Sequence, residues 1–340
     1  MLKKIFYLIL LCLIFVQASF SQEQQEDFTV EQADNLEITD DKIILEGNVL
    51  INSKAESNKI KLKADKIILL KNSNGQFSNG ETFGYAEILS EDFSLKADKI
   101  YLKKEDKTLV EAIGNVWILS KDKTKELKAP KVIIDTEEKL LKAFENVETI
   151  LLTDANNSNT EEKQKILITS EEQEIDLQNK IETRKLLIAR GNAILNSKDG
   201  ELKGELIEIF AKEENVEKIV ANDSANLKQD VYTIKSDKIE IFNNYTDKNI
   251  LVAEQNSPTK RAELTSPQYY AQAEKVILVK YKAESDSGKD ELMLFENAEV
   301  KDLESDKTMQ SSYINIPIKS KNLSAGLGSR TKGHLNMKKK

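Results

Sequence analysis

A chain of 340 residues, 39% hydrophobic, 32% charged and 6% aromatic, has room for one extended repeat domain or two compact ones. Its formal net charge of −8 makes it a poor sequence-independent binder of nucleic acid and draws it to no phosphorylated lipid head. The only histidine is His334 and the only cysteine Cys12, which excludes a His-based triad, a His-rich zinc site and a disulfide framework.

The chain opens with an export signal. Lys3 and Lys4 are its basic start, Ile5 to Val16 is an unbroken apolar run, and Ala18 to Ser21 is a small-residue stretch. Residues 1–21 are expected to be removed, with cleavage after Ser21 or after Ala18. About a dozen apolar residues are short for a spanning helix, which needs roughly 20. An uncleaved inner-membrane anchor through residues 5–16 is the alternative. Cys12 lies inside the apolar run behind Leu11, so it reads as a signal residue and not as a lipoprotein cysteine. Cleavage leaves no cysteine and, by loss of Lys3 and Lys4, takes the charge from −8 to −10. Without disulfides, stability must come from the apolar core.

Beyond the signal a phrase recurs. Leu62-Lys63-Ala64-Asp65-Lys66-Ile67-Ile68-Leu69 returns at Leu95 to Leu102, Leu127 to Ile134, Leu202 to Ile209 and Ile234 to Ile241. Ala33, Ala64, Ala97 and Ala129 are spaced by 31, 33 and 32 residues, the mark of a repeat architecture. Apolar and polar residues alternate as in a strand, but the phase slips by one at the centre. Leu62 and Ala64 share one parity; Ile67 and Leu69 share the other. A slip turns an apolar face outward unless the strand bends or bulges there. Each copy therefore predicts a strand folded at its small residue, with apolar arms on the concave side. A two-residue break between separate strands is the alternative.

A second phrase alternates with the first. Gly47-Asn48-Val49 matches Gly114-Asn115-Val116, with variants at Gly84-Tyr85, Glu145-Asn146, Gly191-Asn192, Asp223-Ser224 and Glu296-Asn297. Gly and Asn tolerate positive φ, which suits a turn or bulge.

The alternation "L-x-A-D-x-I-x-L" with "A-x-G-N-V-x-I" resembles the OstA/LptA-type β-jelly-roll family of lipopolysaccharide transport. It is sharpest over Ala33 to Ile51, Leu62 to Leu69, Leu95 to Leu102 and Ala112 to Leu127, and degrades toward Ile316. The resemblance implies an all-β, repeat-built, V-shaped jelly roll that stacks bent antiparallel strands. It also implies a periplasmic protein that shields the acyl chains of lipopolysaccharide, or a related glycolipid, in a hydrophobic groove. The implied partners are LptC-like and LptD-like jelly rolls, or further copies of this chain through edge strands. No cofactor is implied. The groove candidates are Val49, Ile51, Ile60, Leu62, Ile67, Leu69, Leu95, Ile100, Leu102, Val116, Ile118, Leu127, Val132 and Ile134. The same side chains would form the core of a filled solenoid, so an exported structural or interaction protein of the envelope is the alternative function.

Polar loops are expected at Lys71 to Thr82, Asp154 to Lys165 and Ala283 to Asp290. The expected division is a first half over 22–153, a loop or linker over 154–165, a degenerate second half over 166–321 and a basic tail over 322–340. Ile43-Ile44-Leu45, Ile67-Ile68-Leu69 and Val132-Ile133-Ile134 are apolar on both faces, which suggests sheet-on-sheet packing or a subunit contact. Alternating Lys and Glu read as a solvated outer face. Asp65, Asp98 and Asp237 recur at one repeat position and are the only candidates for a glycosidase-like carboxylate pair. That position also takes Pro130, Glu205 and Pro267, which points to turn formers. The chain is therefore not expected to be an enzyme.

Overall fold

Alternation of apolar and charged residues gives strands with one buried and one wet face. Strands dominate the computed structural model, which describes residues 28–53, 61–71, 77–90, 93–104, 108–135, 137–154, 163–177, 184–212, 215–243, 248–257, 260–281 and 290–317. The export signal, Ile60, most of the two later polar loops and the tail lie outside the described residues.

Two compact units divide the chain, residues 1–180 and 181–340. The first holds β1 (Phe28–Gln32), β2 (Asn35–Ile38), β3 (Lys42–Ser53), β4 (Lys61–Lys71), β5 (Phe77–Leu89) and β6 (Phe93–Ala97). It continues with β7 (Lys99–Lys104), β8 (Thr108–Ser120), β9 (Lys125–Asp135), β10 (Leu140–Asp154) and β11 (Lys163–Asp176). The second holds β12 (Arg184–Ser197), β13 (Gly200–Lys212), β14 (Asn215–Gln229), β15 (Tyr232–Phe242) and β16 (Lys248–Glu254). Its last strands are β17 (Ala262–Thr265), β18 (Tyr269–Ala273), β19 (Lys275–Tyr281), β20 (Glu291–Asp302) and β21 (Thr308–Pro317). The expected Lys71–Thr82 loop is shorter than its sequence suggests, because β5 already begins at Phe77. The polar Asp154–Lys165 segment joins β10 to β11, which pair antiparallel inside the first unit, so the division lies further along the chain.

Within the first unit the pairing is an antiparallel meander. β3–β4, β4–β5, β8–β9, β9–β10 and β10–β11 pair in succession. β1 and β2 lie end to end along β3, and β6 and β7 end to end between β5 and β8. In the second unit β12 to β15 follow one another. β16 and β17 then share β15, pair with β19 and β18 respectively, and both of those pair with β20, followed by β21.

Every long strand is bent where the two phrases meet. The register breaks between Glu46 and Val49, Ile113 and Val116, Phe144 and Val147, Arg190 and Ala193, Asn222 and Ala225, and Phe295 and Ala298. The residues skipped are the second phrase, and they are left-handed: Gly47 and Asn48 have φ of 76° and 48°, Gly114 and Asn115 76° and 46°. Glu145, Asn146, Asp223, Ser224, Glu296 and Asn297 adopt the same conformation without glycine. The first phrase bends in both expected ways. It is continuous through β4, β9, β13 and β15, and broken at Asp98 between β6 and β7.

The bend splits each unit into two arms. In the first unit, arm I carries β2 and β7 and arm II carries β1 and β6; in the second, arm I carries β16 and β19 and arm II β17 and β18. The outer faces carry cross-strand ion pairs, such as Lys66–Glu46 at 2.5 Å, and Lys103 and Lys131 on Glu111 at 2.7 and 2.6 Å. Those two lysines hold the Glu111 carboxyl below its ordinary range. Such exposed pairs contribute little each, about 0–1 kcal/mol, so the apolar interior must hold the fold. The doubly apolar segments are not explained by a second sheet. Ile44, Ile68 and Ile133 point outward and are half-buried, in cross-strand register with Glu37, Glu81, Glu111 and Lys142.

Candidate functional site

The register turns the scattered apolar residues into four continuous rows on the inner face of the first unit. On arm II the outer row runs Ile51, Leu62, Ile88, Leu95, Ile118, Leu127, Thr149, Ile168, strand by strand. The row beside the bend is small: Val49, Ala64, Ala86 and Ala97, then Val116 and Ala129. On arm I, Leu45 and Ile67 head one row, which continues through Ile100, Ala112, Val132, Ala143 and Gln173. Ile43, Leu69, Gly80, Leu102, Val110, Ile134, Leu141 and Ile175 make the fourth. Alanine next to the bend lets the two arms converge; Leu and Ile further out fill the widening space.

The described groove candidates all fall in these rows, in one hydrophobic cluster contributed by both arms. Val49, Ile51, Ile67, Leu69, Leu95, Ile100, Val116, Leu127, Val132 and Ile134 are buried. Leu62, Leu102 and Ile118 are half-buried, as are Ile43, Phe93, Ile175 and Leu177 against the same cluster. Burial alternates along the rows: Leu62 and Ile118 are half-buried, while their row neighbours Ile51, Leu95 and Leu127 are as inaccessible as the residues beside the bend. Ile60 lies outside the described residues.

Four buried polar residues, Thr82, Thr149, Ser170 and Gln173, sit in this apolar lining, and periodicity alone does not single them out. Thr82 Oγ1 accepts the Ile100 N–H at 2.8 Å, bridging β5 and β7 where their backbones part. Thr149 Oγ1 donates to Gln173 Oε1 at 2.6 Å, and Gln173 Nε2 donates to the Ile168 carbonyl at 3.2 Å. Both side chains are nearly inaccessible, so the pairing offsets a desolvation cost of about 1–3 kcal/mol for each group left alone. Their inward parity was the available signal.

The recurrent carboxylates serve the bend. Asp98 Oδ2 accepts from Asn115 Nδ2 at 2.9 Å, Asp65 Oδ2 from the Tyr85 N–H at 3.2 Å, and Asp237 Oδ2 from the Asn256 N–H at 3.2 Å. Asp65 and Asp98 have β5 between their strands, a separation of roughly 9–10 Å from strand spacing, not the roughly 5 Å of a retaining pair. Among the described residues no group of three or more His, Cys, Asp or Glu side chains could hold a metal ion. A shallow hollow of about 430 Å³ lies on the outer face, lined by Tyr85, Lys96, Ala97, Asp98, Asn115 and Trp117.

Comparison with known proteins places the relationship in the second unit. Residues 213–322 match the family described as LptA/(LptD N-terminal domain) LPS transport protein. No curated protein matches the chain. Among solved structures, LptH, the LptA homologous periplasmic component of the lipopolysaccharide transport device of Pseudomonas aeruginosa, is 16% identical. The match covers 41% of this chain and 92% of LptH, with a TM-score of 0.29. The family match falls on the half whose phrases are more degenerate, while the clearest phrases lie in the first unit. Residues 213–322 are thus similar to the LptA/(LptD N-terminal domain) family, and the two phrases found within that stretch also run through the first unit.

Proposed function

We propose that the protein is a periplasmic carrier that shields the acyl chains of lipopolysaccharide, or of a related outer-membrane glycolipid, between the two arms of its first unit. The observation that carries this reading is the set of four apolar rows on one inner face, with Leu62, Leu102 and Ile118 left half-buried among them. Acyl burial there is worth roughly 0.8 kcal/mol per methylene, enough without any help from charge. The family match over residues 213–322 supports transport as the process. Catalysis plays no part in this role, no cofactor is needed, and export through residues 1–21 delivers the chain to the periplasm.

Bridging is supported by the N-terminal edge. Among the described residues β1 and β2 pair only with β3, and Leu36 and Ile38 of β2 are 59% and 63% exposed. An edge with free backbone groups and apolar side chains is a site for strand addition by an LptC-like, LptD-like or identical jelly roll.

Photocrosslinking in the native host tests the carrier role. A photoreactive residue at Ile118 or Leu102 should capture lipid, and one at the outward Lys61 or Lys96 should not. A second reading, an exported scaffold without cargo, is favoured by the burial of most lining residues under their own neighbours. Folded, exported protein without a lipid adduct at either inward site would decide for the scaffold.

A further inference from the structure

The free ends of the arms in the second unit carry polar inward residues. On arm II, Tyr232 stands two residues before buried Ile234 and Tyr269 two before buried Ala271. On arm I, Lys280 stands two residues after buried Leu278, and Asp290 two before buried Leu292. A side-chain period of two puts all four on the inner face, at its outermost position.

These residues meet across the mouth. Lys280 Nζ donates to Asp230 Oδ2 at 2.6 Å, and Asp230 belongs to the β14–β15 turn of arm II. Tyr269 is 3% exposed and Asp290 6% exposed, far less than residues at the rim of an open cleft. Asp290 Oδ1 accepts the Tyr281 N–H at 3.0 Å. Burial pushes the Tyr232 hydroxyl up, and the charges of Asp290 and Asp230 add to it; Tyr269, also pushed up by burial, interacts with Tyr232. Residues of both arms therefore share one electrostatic cluster. An inward lysine and aspartate over an apolar interior are tolerable only when paired.

We propose that Asp230, Lys280, Tyr232, Tyr269 and Asp290 form a latch that closes the mouth of the second unit, so that its apolar interior admits an acyl chain only when the Lys280–Asp230 bridge parts. The acyl cargo rests on the carrier reading; the closure does not. In the first unit an equivalent outermost position, two residues before buried Leu95, is held by the half-buried apolar Phe93, so an acyl chain enters there first. The bridge is weak enough to act as a gate, since its two side chains are 25% and 61% exposed.

Thiol labelling tests the closure without lipid. Single cysteines are placed by Ile234→Cys in the second unit and Ile118→Cys in the first, in a chain carrying Cys12→Ser, and reacted with N-ethylmaleimide. Asp230→Ala or Lys280→Ala should raise the labelling rate at position 234 by about three- to fivefold, the range of an exposed ion pair, and leave position 118 unchanged. The swapped pair Asp230→Lys with Lys280→Asp should restore slow labelling. Equal rates with and without the bridge overturn the latch. A photoreactive lauric acid then tests the cargo: capture in the second unit should rise on Asp230→Ala while capture in the first stays constant. Capture in neither unit, with the labelling difference intact, overturns the carrier reading and leaves the closure standing.

Discussion

The carboxylate of Asp98 occupies the space into which a side chain at position 114 would project. Gly114 has a φ of 76°, its carbonyl accepts the Asp98 N–H at 2.9 Å, and Asn115 binds the Asp98 carboxylate from the next position. Asp34 with Gly47 and Asp65 with Gly84 repeat the packing of carboxylate on glycine. The two phrases of the sequence are thus the two halves of one joint: an acidic corner on one strand, packed on a left-handed bulge of its neighbour.

Gly114→Ala should destabilise the protein by about 2–3 kcal/mol, combining left-handed strain of about 1–2 kcal/mol with displacement of the Asp98 carboxylate. In an Asp98→Ala background the same change should cost only the strain, about 1–2 kcal/mol. Urea unfolding of the four-member cycle checks this, and strictly additive costs would show that the two residues do not act as a joint.

Glu296 and Glu145 hold the bulge conformation without glycine, at φ of 61° and 68°. Glu296→Gly and Glu145→Gly should each raise stability by roughly 0.5 kcal/mol, because relief of left-handed strain exceeds the backbone entropy lost with glycine. Thermal unfolding is the measurement, with Lys301→Gly in the regular part of β20 expected to lower stability instead.

The Thr149–Gln173 pair predicts a coupled response. Gln173→Leu strands the Thr149 hydroxyl in an apolar interior and should cost about 1–3 kcal/mol. Adding Thr149→Val removes the orphan and should recover most of that loss, since two matched apolar groups replace two matched polar ones. A double variant no better than Gln173→Leu alone would mean that packing, not hydrogen bonding, governs the site.

Leu95 and Ile118 are register partners of unequal burial. Leu95→Ala should cost about 2–5 kcal/mol as a cavity in a closed core, and Ile118→Ala less, because its side chain is already partly wet. Denaturation of the two single variants orders the row into core and lining.

Acid stability should carry a contribution from the β8–β9 turn. Burial disfavours the charged form of Asp122, but hydrogen bonds from Ser120 Oγ at 2.6 Å and Thr124 N at 2.9 Å outweigh it and bring the carboxyl to about 2. A carboxyl depressed in the folded state stabilises above its ordinary unfolded value near 4. The contribution is therefore full above that value and is lost as pH falls toward 2. Asp122→Asn should lower the melting temperature at pH 6 and narrow the gap to the parent at pH 2; a constant gap across that range contradicts the assignment. The group is exposed, so the effect is expected to be small.

Much of this architecture was legible in the chain. The phase slip between Leu62–Ala64 and Ile67–Leu69 located the bend, because a period of two allows no other way to keep both segments inward. The Gly-Asn phrases located the bulges for the same steric reason that makes left-handed backbone cheap at those residues. The degenerate copies Glu145-Asn146 and Glu296-Asn297 were recognisable only by their place in the repeat. Less legible were features set by strands distant in sequence. Thr149 and Gln173 looked like ordinary polar breaks until their strands were paired. Asp154–Lys165 looked like a boundary because it is polar and long, yet a hairpin connection has the same composition. The outward Ile44, Ile68 and Ile133 suggested a second packed sheet, whereas they sit among charged residues of an outer face.

The sequence by itself determined the all-β class, the repeat, the positions of the bends and the apolar identity of the inner face. All of these follow from local sterics and from which residues share a parity. The tertiary structure alone decided how the rows align across strands, which lining residues are buried and which half-wet, and that Lys280 reaches Asp230 across the mouth of the second unit. Those depend on register and on the convergence of two arms, where residues many positions apart compete for one space, and no periodicity within a single strand encodes that outcome.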